Sequence, residues 1–152
     1  HPRRHRAIEK LATSRGLSVA LRSRHDAADA EVYIADTLGE MALWYSLAGV
    51  TFVGGSLVDR GGHTPFEPAQ FESAILHGPN TRNFADAYAA LNASNGAIRV
   101  DDTAGLAAAL DQVSDADRQR QVAGAAKRWL ASLPDSQKAR DAIVAWVAQH
   151  LP

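Results

Sequence analysis

Short apolar stretches alternate along this chain with longer segments whose apolar residues recur at helical spacing. In one such segment Met41, Trp44, Tyr45 and Ala48 fall on one face of a helix. The strand-length apolar stretches are residues 17–23, 32–37, 50–55, 74–79 and 97–102. Strands and helices that alternate at this spacing predict parallel strands joined by right-handed crossovers.

The last third of the chain, residues 116–150, carries no strand signal. Its pattern predicts two helices separated by residues 132–136, with Trp129, Trp146 and Val147 as packing residues. The predicted fold class is α/β. It is a Rossmann-like, doubly wound parallel sheet with helices on both faces, followed by a helical tail over about residues 110–152.

Composition narrows the function classes. The chain has 152 residues, 46% of them hydrophobic and 22% charged, which is an ordinary balance for one globular domain. Its net charge of −1 provides no basic field for nucleic acid, and it contains no cysteine for disulfides or zinc-thiolate sites. No apolar run reaches membrane-spanning length. The only methionine is Met41, so we expect a fragment or a processed chain that acts as part of a larger protein.

Ligands of doubly wound sheets bind beyond the carboxyl ends of the strands. Three segments follow predicted strands there: ADTLGE (35–40), GGSLVDRGGHTPFE (54–67) and GPNTRNF (78–84). The glycines of the second segment permit positive φ and close approach to a ligand, and the helix expected to begin near Pro65 would direct N–H groups toward a phosphate. The segment has neither a Walker lysine nor a complete G-x-G-x-x-G motif, so a mobile glycine-rich connection stays open as the alternative.

Polar residues in these segments each have two interpretations. Glu67 either accepts hydrogen bonds from ribose hydroxyls or caps a helix, and His63 either contacts a phosphate or is simply exposed. Glu40 fits a capping box with Asp36 or Thr37, and Asn83 fits a helix start.

The opening of the chain is basic, with His1, Arg3, Arg4, His5 and Arg6. These residues either meet a phosphate or an anionic membrane face, or form an ordinary charged first turn. No Ser-His-Asp order, paired carboxylates or metal-ligand cluster stands out in the sequence, so the three segments are either sites of chemistry or merely loops.

Taken in order, several motifs resemble the C-terminal half of the Kdo (3-deoxy-D-manno-octulosonic acid) transferases of Gram-negative bacteria. They are YIADTLGEMALWYSLAGVTFVGGSL, GGHTPFEPA and GPNTRNF, and HPRR resembles the end of a further motif. The resemblance covers roughly residues 1–110. It implies a GT-B glycosyltransferase with two Rossmann-like domains, of which the C-terminal one binds the donor CMP-Kdo. The N-terminal domain, which receives the lipid A precursor, would be absent here.

The resemblance implies a set of donor-binding residues. They are His1, Gly39, Glu40, Met41, Gly61, Gly62, His63, Thr64, Pro65, Phe66, Glu67 and Asn83. Residues 39–41 would meet the cytidine nucleotide. Residues 64–67 would direct N–H groups toward the phosphate, and Glu67 would face the ribose. Thr64 stands where the family usually has Asn, and an Arg expected before His1 lies outside the chain.

The resemblance also implies a mechanism and a location. Transfer would invert the anomeric centre without metal or cofactor, and the general base would be a glutamate of the N-terminal domain rather than Glu40 or Glu67. The enzyme would act at the cytoplasmic face of the bacterial inner membrane, with membrane association mainly through the absent part. This chain alone would bind nucleotide without catalysing transfer. Two alternatives stay open: a GT-B donor domain for a UDP- or GDP-sugar, and a non-catalytic α/β interaction domain.

Overall fold

The computed structural model describes residues 4–134, which contain five strands and six α-helices. The strands are β1 (Val19–Leu21), β2 (Val32–Ile34), β3 (Val50–Val53), β4 (Ala74–His77) and β5 (Ala97–Arg99). The helices are α1 (His5–Thr13), α2 (Met41–Leu47), α3 (Phe66–Gln70), α4 (Ala85–Ala93), α5 (Thr103–Ser114) and α6 (Ala116–Ser132). Single 3-10 turns span Arg22–Arg24 and Arg82–Phe84. Each predicted strand is present, and the α/β prediction is confirmed.

The chain divides into two compact units between Trp44 and Tyr45. In the first unit β1 and β2 pair in parallel, with Val19 opposite Val32 and Leu21 opposite Ile34. The side chains of Leu21 and Ile34 are buried, together with that of Ala12 on α1. Burying these apolar groups is what holds a sheet of only two short strands to its helix.

In the second unit three strands form a parallel sheet in the order β3-β4-β5. The pairing runs from Val50 opposite Ala74 to Val53 opposite His77, and β5 lies on the other side of β4. Every residue of β4 is buried. This is expected for the central strand of a parallel sheet, which is covered on both faces.

Helices cover both faces of this three-stranded sheet. On one face Ile75 packs with Leu91 of α4 and Trp129 of α6. On the other face Leu76 packs with Ala109 and Val113 of α5. The alternation of Ile75 and Leu76 along β4 sends neighbouring side chains to opposite faces, and both faces are apolar. The predicted helices on both faces are therefore confirmed for this unit.

The two helices at the end of the described chain, α5 and α6, are each capped at the N-terminus by an aspartate. The Asp102 side chain accepts a hydrogen bond from the Gly105 N–H at the start of α5, and the Asp115 side chain accepts one from the Arg118 N–H of α6. Trp129 is buried, as predicted. The second predicted tail helix, with Trp146 and Val147, lies outside the described residues. Within residues 4–134 no helix has both the length and the apolar character needed to cross a membrane.

Candidate functional site

The segments that follow β3 and β4 lie at one edge of the sheet, because these strands are parallel and paired in register. Residues 54–64, which we call the glycine loop, follow β3. Backbone bonds tie this loop to the segment that follows β4: the Asn80 N–H donates to the Ser56 carbonyl at 2.9 Å, and the Asn83 N–H donates to the Gly61 carbonyl at 3.0 Å. The loop is therefore a fastened element and not a mobile connection.

Two side chains hold further carbonyl groups of the glycine loop. The Asn83 amide nitrogen donates to the carbonyl oxygens of Arg60 and Gly62 at 3.3 and 3.2 Å. The phenol of Tyr88, on α4, donates to the His63 carbonyl at 2.9 Å. Asn83, which was predicted at a helix start, therefore also holds carbonyl groups of the glycine loop. Both side chains fix the direction of peptide groups in the loop.

Gly61 and Gly62 are required by this arrangement. Both have positive φ, +79° and +69°. A Cβ added at Gly61 would lie 2.5 to 2.7 Å from atoms of the Asn83 amide, closer than real side chains approach. Only glycine combines this backbone conformation with the close approach of Asn83.

The glycine loop and the first turn of α3 have backbone donors without a partner in the described part of the chain. Within residues 4–134 the N–H groups of His63, Thr64 and Glu67 donate no hydrogen bond, whereas the Phe66 N–H reaches the Thr64 hydroxyl oxygen at 3.4 Å. The His63 side chain is exposed and makes no hydrogen bond within the same residues. Neighbouring backbone N–H groups without a protein partner are suited to an anionic oxygen, such as that of a phosphate.

Glu67 lies in the first turn of α3, next to these donors. Its side chain is exposed and makes no hydrogen bond or ion pair with the residues that the structure describes, so it does not cap the helix. Pro65, which precedes α3, is buried, and the Phe66 ring stacks on Trp129 with centroids 5.5 Å apart. Because α3 has only five residues, its dipole is small, and the free N–H groups themselves are the main attraction for an anion.

In the first unit, Glu40 is held by a bidentate ion pair. The Arg22 guanidinium donates from Nη2 to Oε1 at 2.6 Å and from Nε to both carboxylate oxygens at 3.1 Å, and the Thr37 hydroxyl donates to Oε2. These hydrogen bonds, from Arg22 first and Thr37 second, lower the pKa of Glu40 to about 2. Since α2 begins at Met41, the expected capping box is wrong: Asp36 accepts instead from the Ser23 N–H and hydroxyl.

We expect the Glu40 carboxyl carbon to titrate in NMR with a midpoint near pH 2. The pKa is depressed in the folded state, so the stability from this contact is present above the unfolded value of 4.5 and is lost as pH falls through about 2. R22Q should move the midpoint upward and remove this part of the pH dependence. A wild-type midpoint near 4.5 would contradict the ion pair.

Gly39 and Met41 flank Glu40 and line a cleft of about 330 Å³. The lining is mostly apolar and comes from α1, the end of β2, the turn after β2 and the start of α2: His5, Ile8, Ile34, Ala35, Asp36, Thr37, Leu38, Gly39 and Met41. His5, one of the basic residues at the chain start, approaches the buried Asp36 carboxylate at 3.9 Å. The cleft can therefore accept a flat, partly apolar group beside polar atoms.

The structure groups the predicted site residues in two sets. Residues 61–67 and Asn83 lie together in the second unit, and residues 39–41 lie around the cleft of the first unit. His1 lies outside the described residues. The role of all these residues in donor binding stays a prediction. Within residues 4–134 no group of three or more His, Asp or Glu side chains is arranged to hold a metal ion.

Sequence reasoning missed Arg22 and Tyr88. Arg22 directly follows β1, at the carboxyl end of a strand, so the rule that located the other segments would also have selected it. Tyr88 has no such signal, because in the sequence it is one of several apolar residues of a helix. Its hydroxyl acts on a carbonyl 25 residues away.

Comparison with known proteins identifies relatives of this chain. No family model matches the chain. The chain is 33% identical over 106 residues, 68% of its length, to the 3-deoxy-D-manno-octulosonic acid transferase of Haemophilus influenzae. It is 31% identical over 152 residues, 97% of its length, to the enzyme of that name from Bordetella pertussis. These matches cover 25% and 36% of the two relatives, so the chain spans about a quarter to a third of their length.

A solved structure matches the fold as well. It is described as the C-terminal CMP-Kdo binding domain of WaaA from Acinetobacter baumannii. The TM-score is 0.79 at 29% sequence identity, and the match covers 86% of this chain and 69% of that one. The chain therefore belongs to the 3-deoxy-D-manno-octulosonic acid (Kdo) transferase family and corresponds to the C-terminal domain of such a transferase.

Proposed function

We propose that this chain binds CMP-Kdo as the donor-binding domain of a Kdo transferase. The observation that carries the proposal is the glycine loop, held by backbone and side-chain hydrogen bonds, together with the first turn of α3. Within residues 4–134 the N–H groups of His63, Thr64 and Glu67 and the Glu67 carboxylate there have no hydrogen-bond partner. A nucleoside monophosphate ester offers the complementary groups: phosphate oxygens for the N–H donors, and ribose hydroxyls that donate to a carboxylate. The name of the matched Acinetobacter domain supports the same ligand.

The proposed chemistry requires stabilisation of negative charge. When the bond between Kdo and the CMP phosphate breaks, the sugar becomes oxocarbenium-like and the electron pair goes to the phosphate oxygen. Preoriented N–H groups stabilise that charge, and the loop needs no rearrangement because Asn83 and Tyr88 already hold it. No step in this scheme draws on a metal or a cofactor. An acceptor hydroxyl then attacks from the opposite face, which inverts the anomeric centre.

The two glutamates bind and do not act as bases in this proposal. Glu40 is paired with Arg22, and its pKa near 2 makes it a poor proton acceptor at neutral pH. It orients the turn that contains Gly39 and Met41, which both line the cleft of the first unit. Glu67 accepts from the ribose. The general base is assigned to a part of the whole protein beyond this chain.

We further propose that the whole protein transfers Kdo to a lipid A precursor at the cytoplasmic face of the bacterial inner membrane. This chain spans a quarter to a third of its relatives, and the proposal assigns the general base to a part of the whole protein beyond it, so we expect it to bind donor without transferring Kdo. Incubating the 152-residue chain with CMP-Kdo and lipid A precursor should yield no product above a protein-free control. Reproducible product would contradict the assignment of the base.

Titration of the ¹⁵N-labelled chain with CMP tests the donor proposal. The amide signals of residues 39–41, 61–67 and 83 should shift most, and the shifts should be larger with CMP than with UMP or GMP. Because N–H donors to a phosphate do not distinguish one base from another, a preference for CMP would show contacts beyond those of the glycine loop.

Three outcomes are informative. Equal responses to all three nucleotides would contradict the cytidine assignment and favour a donor domain for a UDP- or GDP-sugar. No response at millimolar CMP would contradict donor binding by this chain. In that case, protection of the glycine loop by a protein partner would support the interaction-domain alternative.

A further inference from the structure

Tyr88 is one of the most buried large side chains among the described residues, with 1% of its surface exposed. Its ring packs on that of His77, with centroids 4.5 Å apart. The His77 ring is itself fixed, since its Nδ1 lies 2.7 Å from the Gly78 carbonyl oxygen and its Nε2 lies 3.0 Å from Oδ1 of Asn92. Burial raises the pKa of Tyr88, so the phenol keeps its proton. This proton is donated to the His63 carbonyl.

A peptide group is planar and trans, so its C=O and N–H point in opposite directions. The hydrogen bond from Tyr88 to the His63 carbonyl therefore also sets the direction of the Thr64 N–H. That N–H is one of the free donors of the glycine loop. Asn83 acts in the same way one peptide earlier, because its bond to the Gly62 carbonyl directs the His63 N–H.

We propose that Tyr88 is a positioning residue for the donor phosphate, acting through the peptide group between His63 and Thr64. This inference rests on the proposed function and adds a residue to the donor site. The buried ring alone does not explain a tyrosine, since a phenylalanine would fill the same space beside the His77 ring. The hydroxyl is the additional group, and the one hydrogen bond that it makes within the described residues is to the phosphate-facing loop.

Y88F in the 152-residue chain removes the hydroxyl and keeps the ring. We expect the dissociation constant for CMP to rise about 3- to 10-fold, the usual effect of losing one such hydrogen bond. Affinity for cytidine, which has no phosphate, should stay unchanged. A merely structural role would weaken both ligands equally, so the ratio of the two affinities is the decisive readout. In the unliganded protein, the Thr64 amide signal should shift.

S94A is the matched control. Like that of Tyr88, the Ser94 hydroxyl donates to a backbone carbonyl, but this is the carbonyl of Leu91 in α4, at 3.0 Å, and not one of the glycine loop. This variant should lose similar stability and keep its affinity for CMP.

The outcomes separate this inference from the proposed function. If wild type binds CMP and Y88F binds it equally well, the inference fails and the proposed function stands. If wild type binds no CMP, the proposed function fails, and an unchanged Thr64 signal in Y88F would overturn the positioning role as well. Loss of folding in Y88F, or equal weakening of CMP and cytidine, would show a structural contact and overturn the inference.

Discussion

Replacing Gly78 with alanine should lower the melting temperature of the chain by at least about 6 °C. Gly78 directly follows β4, and an added Cβ would overlap the backbone carbonyl of Ser56 and lie 2.6 Å from the Leu57 nitrogen. These are backbone atoms, so no rotation of a side chain relieves the overlap. Overpacking of this kind costs roughly 1–3 kcal/mol.

The added Cβ would also displace the segment around Ser56, which makes buried hydrogen bonds. The Ser56 side chain is fully buried; its hydroxyl accepts from the Gly78 N–H at 2.8 Å, and its carbonyl accepts from the Asn80 N–H at 2.9 Å. Leaving one such group unpaired costs about another 1–3 kcal/mol. A total near 3 kcal/mol corresponds to the expected shift, at about 2–4 °C per kcal/mol for a chain of this length.

Gly54 provides the matched control for this experiment. It directly follows β3 as Gly78 follows β4, yet a Cβ added there would meet nothing nearer than the His63 ring at 3.9 Å. G54A should therefore melt within about 2 °C of wild type, a shift worth less than about 1 kcal/mol. Thermal unfolding followed by circular dichroism compares the two variants. Equal melting temperatures for G78A and G54A would show that the close approach of Ser56 to Gly78 does not contribute to stability.

The strands could be predicted from the sequence because each is a short apolar run between turn residues. Each is shorter than its run, since a residue counts in a strand only where a neighbouring strand pairs with it. Val50–Val53, for example, ends where the glycine loop leaves β4. The division of the strands into two sheets had no local signal, because pairing between strands is a tertiary property.

The position of the candidate site could be predicted for a different reason. Parallel strands bring their carboxyl ends to one edge, so the rule selects segments without any knowledge of contacts. What the rule cannot provide is the partner of each polar group. From the sequence, Glu40 is interpreted as a helix-capping residue. In the structure its carboxylate is paired with Arg22, 18 positions earlier. Tyr88 reads as a core residue until its hydroxyl is found at His63.

Replacing Gly61 with alanine should have the largest effect on ligand binding. The new Cβ would lie 2.5 Å from Oδ1 of Asn83, so the amide has to leave its place and give up its bonds to the carbonyls of Arg60 and Gly62. The Gly62 carbonyl then no longer fixes the direction of the His63 N–H. We expect the dissociation constant for CMP, measured by calorimetry, to rise at least about 10-fold, which corresponds to about 1.4 kcal/mol.

Two further variants separate the causes. Gly16 has the same φ of +79° with no atom within 4 Å of an added Cβ, so G16A carries the backbone strain of about 1 kcal/mol alone. Adding N83A to G61A removes the overlap, because the amide that the new Cβ would strike is gone. In the N83A background, G61A should therefore lower the free energy of unfolding only by as much as G16A lowers that of wild type. The effects of G61A and N83A would then not add, which is the result expected for two residues in direct contact. If the effects of G61A and N83A on stability simply add, Gly61 is required for its backbone conformation and not for the approach of Asn83.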